Sequence, residues 1–110
     1  MTTESSQDAV TEVLSALADP TRRRILDALA AHGEATATVL ATELPVSRQA
    51  IVKHLEVLSG AGLVESERAG RELVFRALGG RLNDVAHELE RIGSAWETRL
   101  ARIKRLAEEG

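Results

Sequence analysis

The 110-residue chain contains no cysteine. That excludes disulfides, thiolate metal sites and thiol redox sensing together. With one phenylalanine, one tryptophan and no tyrosine, Phe75 and Trp96 are its whole aromatic inventory. Two rings cannot furnish a stacking platform for single-stranded nucleic acid. They also leave little for an aromatic-lined small-molecule pocket. No apolar run approaches the roughly 20 residues that a membrane span requires. The opening "MTTESSQDAV" is polar and acidic, unlike a signal peptide. A soluble, cytoplasmic protein with no membrane partner is expected. No nucleophile–base pair, Gly-rich phosphate loop or paired-carboxylate cleft is discernible. No catalytic residue and no cofactor are therefore expected, and the chain does not read as an enzyme.

What is present is globular: 44% of residues are hydrophobic and 28% charged. The length suits one domain with one core. Residues 1–7 offer no apolar stripe and are expected to be flexible, with a single domain over 8–110. Val10, Val13, Leu14 and Leu17 fall at helical spacing and predict a first helix ending near Ala18. "DPTRRRILDALAAHG" restarts the helix: Asp19 can cap, Pro20 suits the first helical position and Gly33 the stop. Ile25, Leu26 and Leu29 form its buried stripe, and His32 in the last turn complements the helix dipole. Arg22, Arg23 and Arg24 stand in the first turn, where that dipole disfavours cations. Neighbouring carboxylates explain them better than an outside anion.

In "ATATVLATELPVS", Thr36 can cap a short helix running to Leu44 and stopped by Pro45. Ser47 then caps the next helix, with Val46 and Ile51 placed as a hydrophobic staple. Two short helices across a tight turn make a helix-turn-helix. Over residues 47–61, Ile51, Leu55 and Leu58 share one side, while Arg48, Gln49, Val52, Lys53 and Glu56 share the other. Arg48 and Gln49 occupy the turn of a recognition helix that meets base edges. Arginine can fork to guanine and glutamine to adenine, and Val52 can touch a thymine methyl. Lys53 reaches a base or a phosphate. His54 points between the two faces, where a ring packed at the helix edge competes with a phosphate contact. The DNA-facing set is thus Ser47, Arg48, Gln49, Val52, Lys53 and His54.

Gly62 ends this helix, and in "LVESERAGRELVFRAL" the residues Leu73, Phe75 and Ala77 alternate with Val74, Arg76 and Leu78. Ala69 and Gly70 are expected at a hairpin turn flanked by Arg68 and Arg71, a wing over about residues 63–78. Arg68 and Arg71 either join the DNA contact or pair with Glu67 and Glu72, and the DNA contact is preferred. A last helix over about 81–107 carries Leu82, Val85, Leu89, Ile92, Trp96, Leu100, Ile103 and Leu106 in steps of three and four. One small domain cannot cover so long a seam. A second copy can, through the first and last helices across a two-fold axis. The expected interface comprises Val10, Val13, Leu14 and Leu17 with Leu82, Val85, Leu89, Ile92, Trp96, Leu100 and Ile103. The expected fold is mainly α with a small β-hairpin wing.

"LADPTRRRILDAL", "VSRQAIVKHLEVLSGAGLV" and "ERAGRELVFRAL" resemble, in order and spacing, the ArsR/SmtB family of bacterial transcriptional repressors. The resemblance spans about residues 10–107 and is strongest from Ser47 to Val64. It implies a homodimeric winged helix-turn-helix that represses by binding operator DNA, often upstream of its own gene. The Trp96 region, "AWETRLARIKRLAEE", looks like a subgroup without the founding members' metal sites. Asp84, His87 and Glu90 lie at i, i+3 and i+6, but only Glu97 stands near the place of a second ligand pair. A solvated face explains them, and no metal is expected.

The chain's net charge of −3 is compatible with this. Residues 20–78 carry eight Lys/Arg and seven Asp/Glu, so the acidity sits in the flanks. Net charge governs steering and nonspecific adhesion, not the local sign of one face. The expected partner is double-stranded operator DNA in the form of an imperfect palindrome. A small-molecule effector stays open and unidentified. The rival is a winged-helix module for protein association, which has little need of Arg48, Gln49 and Lys53 together on an open face.

Overall fold

Side-chain caps set the helix starts. In the computed structural model, which describes residues 3–109, Asp19 Oδ2 accepts the Arg22 N–H at 3.1 Å. Thr36 Oγ1 accepts the Val39 N–H at 3.2 Å, and Ser47 Oγ the Ala50 N–H at 3.1 Å. Each satisfies a donor that the helix cannot satisfy internally. The chain runs α1 (Thr3–Leu17), α2 (Pro20–His32), β1 (Ala35–Thr36), α3 (Ala37–Glu43), α4 (Arg48–Gly60), β2 (Val64–Ala69), β3 (Glu72–Ala77) and α5 (Gly80–Glu109). Helix α1 begins at Thr3, within the stretch 1–7 expected to be flexible. Met1 and Thr2 lie outside the described residues.

The core gathers one stripe from each helix. Val13, Ile25, Leu29, Leu40, Ile51, Leu55, Leu58 and Leu63 have no exposed surface. Helix α4 ends as the glycine at position 62 predicts, by a Schellman motif. Gly62 takes φ +78°, the Leu63 N–H donates to the Leu58 carbonyl at 2.9 Å, and the Gly62 N–H to Ser59 at 3.0 Å. Leu58 and Leu63, both fully buried, supply the accompanying apolar contact.

The sheet is antiparallel in the order β1-β3-β2. Strand β1 is a two-residue addition that the sequence pattern did not announce, pairing Ala35 with Phe75 and Thr36 with Val74. The wing turn lies one residue later than expected. Ala69 pairs with Glu72 and Arg68 with Leu73, which leaves Gly70 and Arg71 as the two-residue loop. Gly70 has φ +65° and no non-glycine residue among those described has positive φ, the pattern of a type II′ turn with glycine first.

Arg22 and Arg23 correct another expectation. Their partners are the last carbonyls of α1, not carboxylates. Arg22 Nε donates to the Ala16 carbonyl at 2.6 Å and Nη2 to Ser15 at 3.3 Å, while Arg23 donates to Leu17. Cations at a helix C-terminus meet unsatisfied carbonyls and the negative end of its dipole. The arginines that oppose the dipole of α2 therefore complement that of α1.

Helix α5 has 30 residues, about 45 Å at the helical rise, and gives the molecule its longest dimension of 69 Å. Only its first turns are packed. Val85 is buried, and Leu82 lies half-buried against the core. Val13 and Val85, expected at a dimer interface, are thus enclosed in the chain's own core, because α1 and α5 meet there. Val10 and Leu17 are half-buried beside them. Leu14, Leu89, Ile92, Trp96, Leu100 and Ile103 stay exposed, by 40–58%.

Candidate nucleic-acid interface

Pro45 shapes the turn between α3 and α4. The Val46 N–H donates to the Leu44 carbonyl at 2.8 Å, a three-residue turn that suits the fixed φ of proline. Val46 then packs half-buried on the core, and the staple with Ile51 sets the entry angle of α4. With Ile51, Leu55 and Leu58 facing inward, the opposite face of α4 is left open. There Ser47, Arg48, Gln49, Ala50, Val52, Lys53 and Glu56 line one shallow depression. Five members of the expected DNA-facing set, Ser47, Arg48, Gln49, Val52 and Lys53, are brought together.

Arg48 is held by a residue that the sequence pattern did not single out. Its Nε donates to Thr38 Oγ1 of α3 at 3.1 Å. The bond engages one edge of the guanidinium and leaves the two terminal nitrogens as a fork. Thr38 stands on the first turn of α3, ten residues before Arg48. No local motif signals such a contact, which exists only because α3 packs across α4.

His54 does not join this face. Its ring is directed at the α1–α2 junction, with Nδ1 3.4 Å from Arg22 Nη1 and 3.8 Å from Asp19 Oδ2. His54, expected in the DNA-facing set, so placed ties α4 to the rest of the body.

At the wing tip, Arg68 and Arg71 are exposed and make no ion pair among the described residues. Glu67, the partner that could have neutralised Arg68, is turned to the other face of the hairpin. There Arg76 meets Glu34 at 3.2 Å, Glu65 at 3.4 Å and Glu67. Those carboxylates, Glu67 first, drive the Arg76 guanidinium still further toward its charged form. The hairpin thus has an acidic, internally paired outer face and a basic tip. His32 Nε2 bonds Glu43 at 2.7 Å, linking the ends of α2 and α3.

Among the described residues, no three His, Asp or Glu side chains come together as a cation-holding group. His87 Nδ1 lies 2.8 Å from the Asn83 carbonyl on its own helix, and Asp84 and Glu90 are exposed. No helix among the described residues is long and apolar enough to cross a membrane.

Two helices joined by a tight turn, the second with an open Arg/Gln/Lys face and followed by a hairpin with a basic tip, define a winged helix-turn-helix DNA-binding protein. A helix-turn-helix domain family matches residues 17–67. YuzN, an HTH-type transcriptional regulator of Bacillus subtilis (strain 168), is 46% identical over 71 residues, which cover 57% of this chain and 77% of the relative. An ArsR-like transcriptional regulator from Rhodococcus sp. RHA1 superimposes with a TM-score of 0.82 at 50% identity, over 94% of this chain and 96% of that one. A solution structure from Mycobacterium bovis, described as the homodimeric winged helix-turn-helix DNA-binding domain of a possible ArsR-family regulator, gives a TM-score of 0.63 at 32% identity, over 83% and 81% of the two chains. The chain belongs to the ArsR/SmtB family of helix-turn-helix transcriptional regulators.

Proposed function

We propose that the chain acts in the cytoplasm as a homodimeric repressor of its own gene, bound to an imperfect palindrome in duplex DNA. The observation that carries this reading is the open face of α4. Arg48, Gln49 and Lys53 lie there together, and Arg48 is aimed outward by Thr38 rather than neutralised by a carboxylate. Arg48 forks to a guanine, Gln49 pairs with an adenine, Val52 meets a thymine methyl and Lys53 takes a base or a phosphate. Ser47 lies at the helix N-terminus, where backbone N–H groups favour a phosphate. Arg68 and Arg71 reach the backbone or minor groove beside the site. A two-fold dimer through α5 sets the two recognition helices about 34 Å apart, in successive major grooves. The exposed seam from Leu89 to Ile103 supports that dimer, as does the homodimeric state of the Mycobacterium bovis domain.

A fluorescence-anisotropy titration on the duplex upstream of the protein's own gene tests the proposal, with a scrambled duplex of equal length at the same salt. The expected preference is roughly a thousandfold or more, the usual margin of specific over nonspecific binding. Equal, weak binding to both duplexes would refute autoregulation through that site.

A further inference from the structure

Gly62 does more than end α4 with a positive φ. A Cβ built on it would lie 2.7 Å from Arg81 Nε and 2.9 Å from Arg81 Cζ. The guanidinium of Arg81, at the start of α5, occupies the space that a side chain at position 62 would need. From there its Nη1 donates to the Ala61 carbonyl at 3.1 Å, at the C-terminal end of α4. A cation there meets the negative end of the helix dipole and an otherwise unsatisfied carbonyl. Among the described residues, this is the only hydrogen bond from α5 to any other helix. The remaining attachment of α5 is apolar, through Val85 and Leu82. To that packing the Arg81 bond adds a directional contact between α5 and the end of α4. Arg81 also forms part of the wall of a cavity between α1 and α5, opposite Val10 and Val13. It therefore stands between the end of the helix expected to read DNA and the place where the two helices expected to dimerise meet.

We infer that Arg81 is a positioning residue: seated on Gly62, it sets the angle of α4 relative to α5 and thereby the spacing of the two half-sites that the dimer accepts. The inference rests on the dimeric DNA-binding reading given above. It assigns to Arg81 no contact with DNA and none with the partner protomer.

The test compares wild type, Arg81→Ala and Arg81→Lys. Each is titrated on a single half-site duplex, on the full operator, and on operators whose centre is lengthened or shortened by one base pair. Sedimentation and thermal melting of the same proteins report dimerisation and folding. Wild type should prefer one spacing sharply. Arg81→Ala should bind the native spacing roughly tenfold more weakly, within the usual range of coupling between sites. Its preference among spacings should flatten, while half-site affinity and dimerisation stay unchanged. Arg81→Lys, which still places a donor over the Ala61 carbonyl, should restore part of the preference. An Arg81→Ala protein with a wild-type spacing profile would overturn the inference and leave the dimeric reading intact, as would an affinity loss that merely follows a loss of dimer. A wild-type protein with no spacing preference would overturn both.

Discussion

Helix α4 and the distal part of α5 carry comparable apolar stripes and meet opposite fates. Ile51, Leu55 and Leu58 of α4 have no exposed surface, whereas Ile92, Trp96, Leu100 and Ile103 of α5 are 40–58% exposed. The hydrophobic free energy of α4 is already collected within the chain, at roughly 1.5–3 kcal/mol per fully buried large side chain. That of α5 is still to be gained from a second surface. Periodicity announces that a stripe must be covered, but not by what. Chain length supplies the rest: α2, α3 and the wing cover the apolar stripe of α4, and nothing is left over for α5 beyond Val85. Local contacts only furnish the bare helix. Arg91 pairs with Glu88 and holds its carboxyl below the usual range, and Arg99 sits 5.3 Å from the centre of the Trp96 ring.

The sharpest way to break this contrast is to truncate one residue in each region. Leu55→Ala should destabilise the body by about 2–5 kcal/mol, the range for a large-to-small change in a packed core. Urea denaturation at two protein concentrations would record it as a loss of similar size at both. Trp96→Ala should instead cost dimerisation roughly 2–4 kcal/mol, as expected of a central aromatic anchor. Sedimentation would show monomers at concentrations where wild type is dimeric, and operator affinity would fall with it. If Trp96→Ala left the association state untouched, the seam would not be the dimer contact. The next effect is smaller and lies on the open face of α4. Arg48→Ala should weaken operator binding by about 1–3 kcal/mol and relax preference at one base position in each half-site, the expected value of a bidentate base contact. Unchanged affinity would remove Arg48 from the readout.

The parts legible in the sequence were those written in local code. Asp19, Thr36 and Ser47 cap where predicted, Gly33 and Gly62 stop their helices, and the open face of α4 follows from helical spacing alone. The parts that escaped depend on partners distant in sequence or on backbone atoms, which leave no pattern. Strand β1 is two residues long, too short to alternate, and exists because β3 offers it an edge. Carboxylate partners for Arg22 can be read from a sequence because they are side chains, whereas its actual partners, the carbonyls of Ser15 and Ala16, leave no such mark. His54 sat at the boundary of two faces, and only the position of Arg22 decides which it joins. The wing turn shifted by one residue because Ala69 can pair across the ladder while Gly70 supplies the positive φ.

Thr38 belongs to the same class of distant partner and gives the smallest expected effect. Its hydroxyl accepts from Arg48 Nε, and the side chain is exposed on α3. Thr38→Val keeps the shape, removes the acceptor and spares the Thr36 cap, so folding should be unaffected. Losing one such bond should cost operator affinity about 0.5–1.5 kcal/mol. If Thr38 acts by orienting Arg48, the loss will concentrate at the base position that Arg48 reads, and it will vanish when Arg48 is already alanine. Measuring both single variants and the double variant on the operator and on a duplex altered at that position separates the possibilities. A loss that persists in the Arg48→Ala background, equal on every sequence and smaller at high salt, would mean that Thr38 contacts the phosphate backbone itself. The open face would then include the first turn of α3, and the division between the helix that reads and the helix that supports it would have to be redrawn.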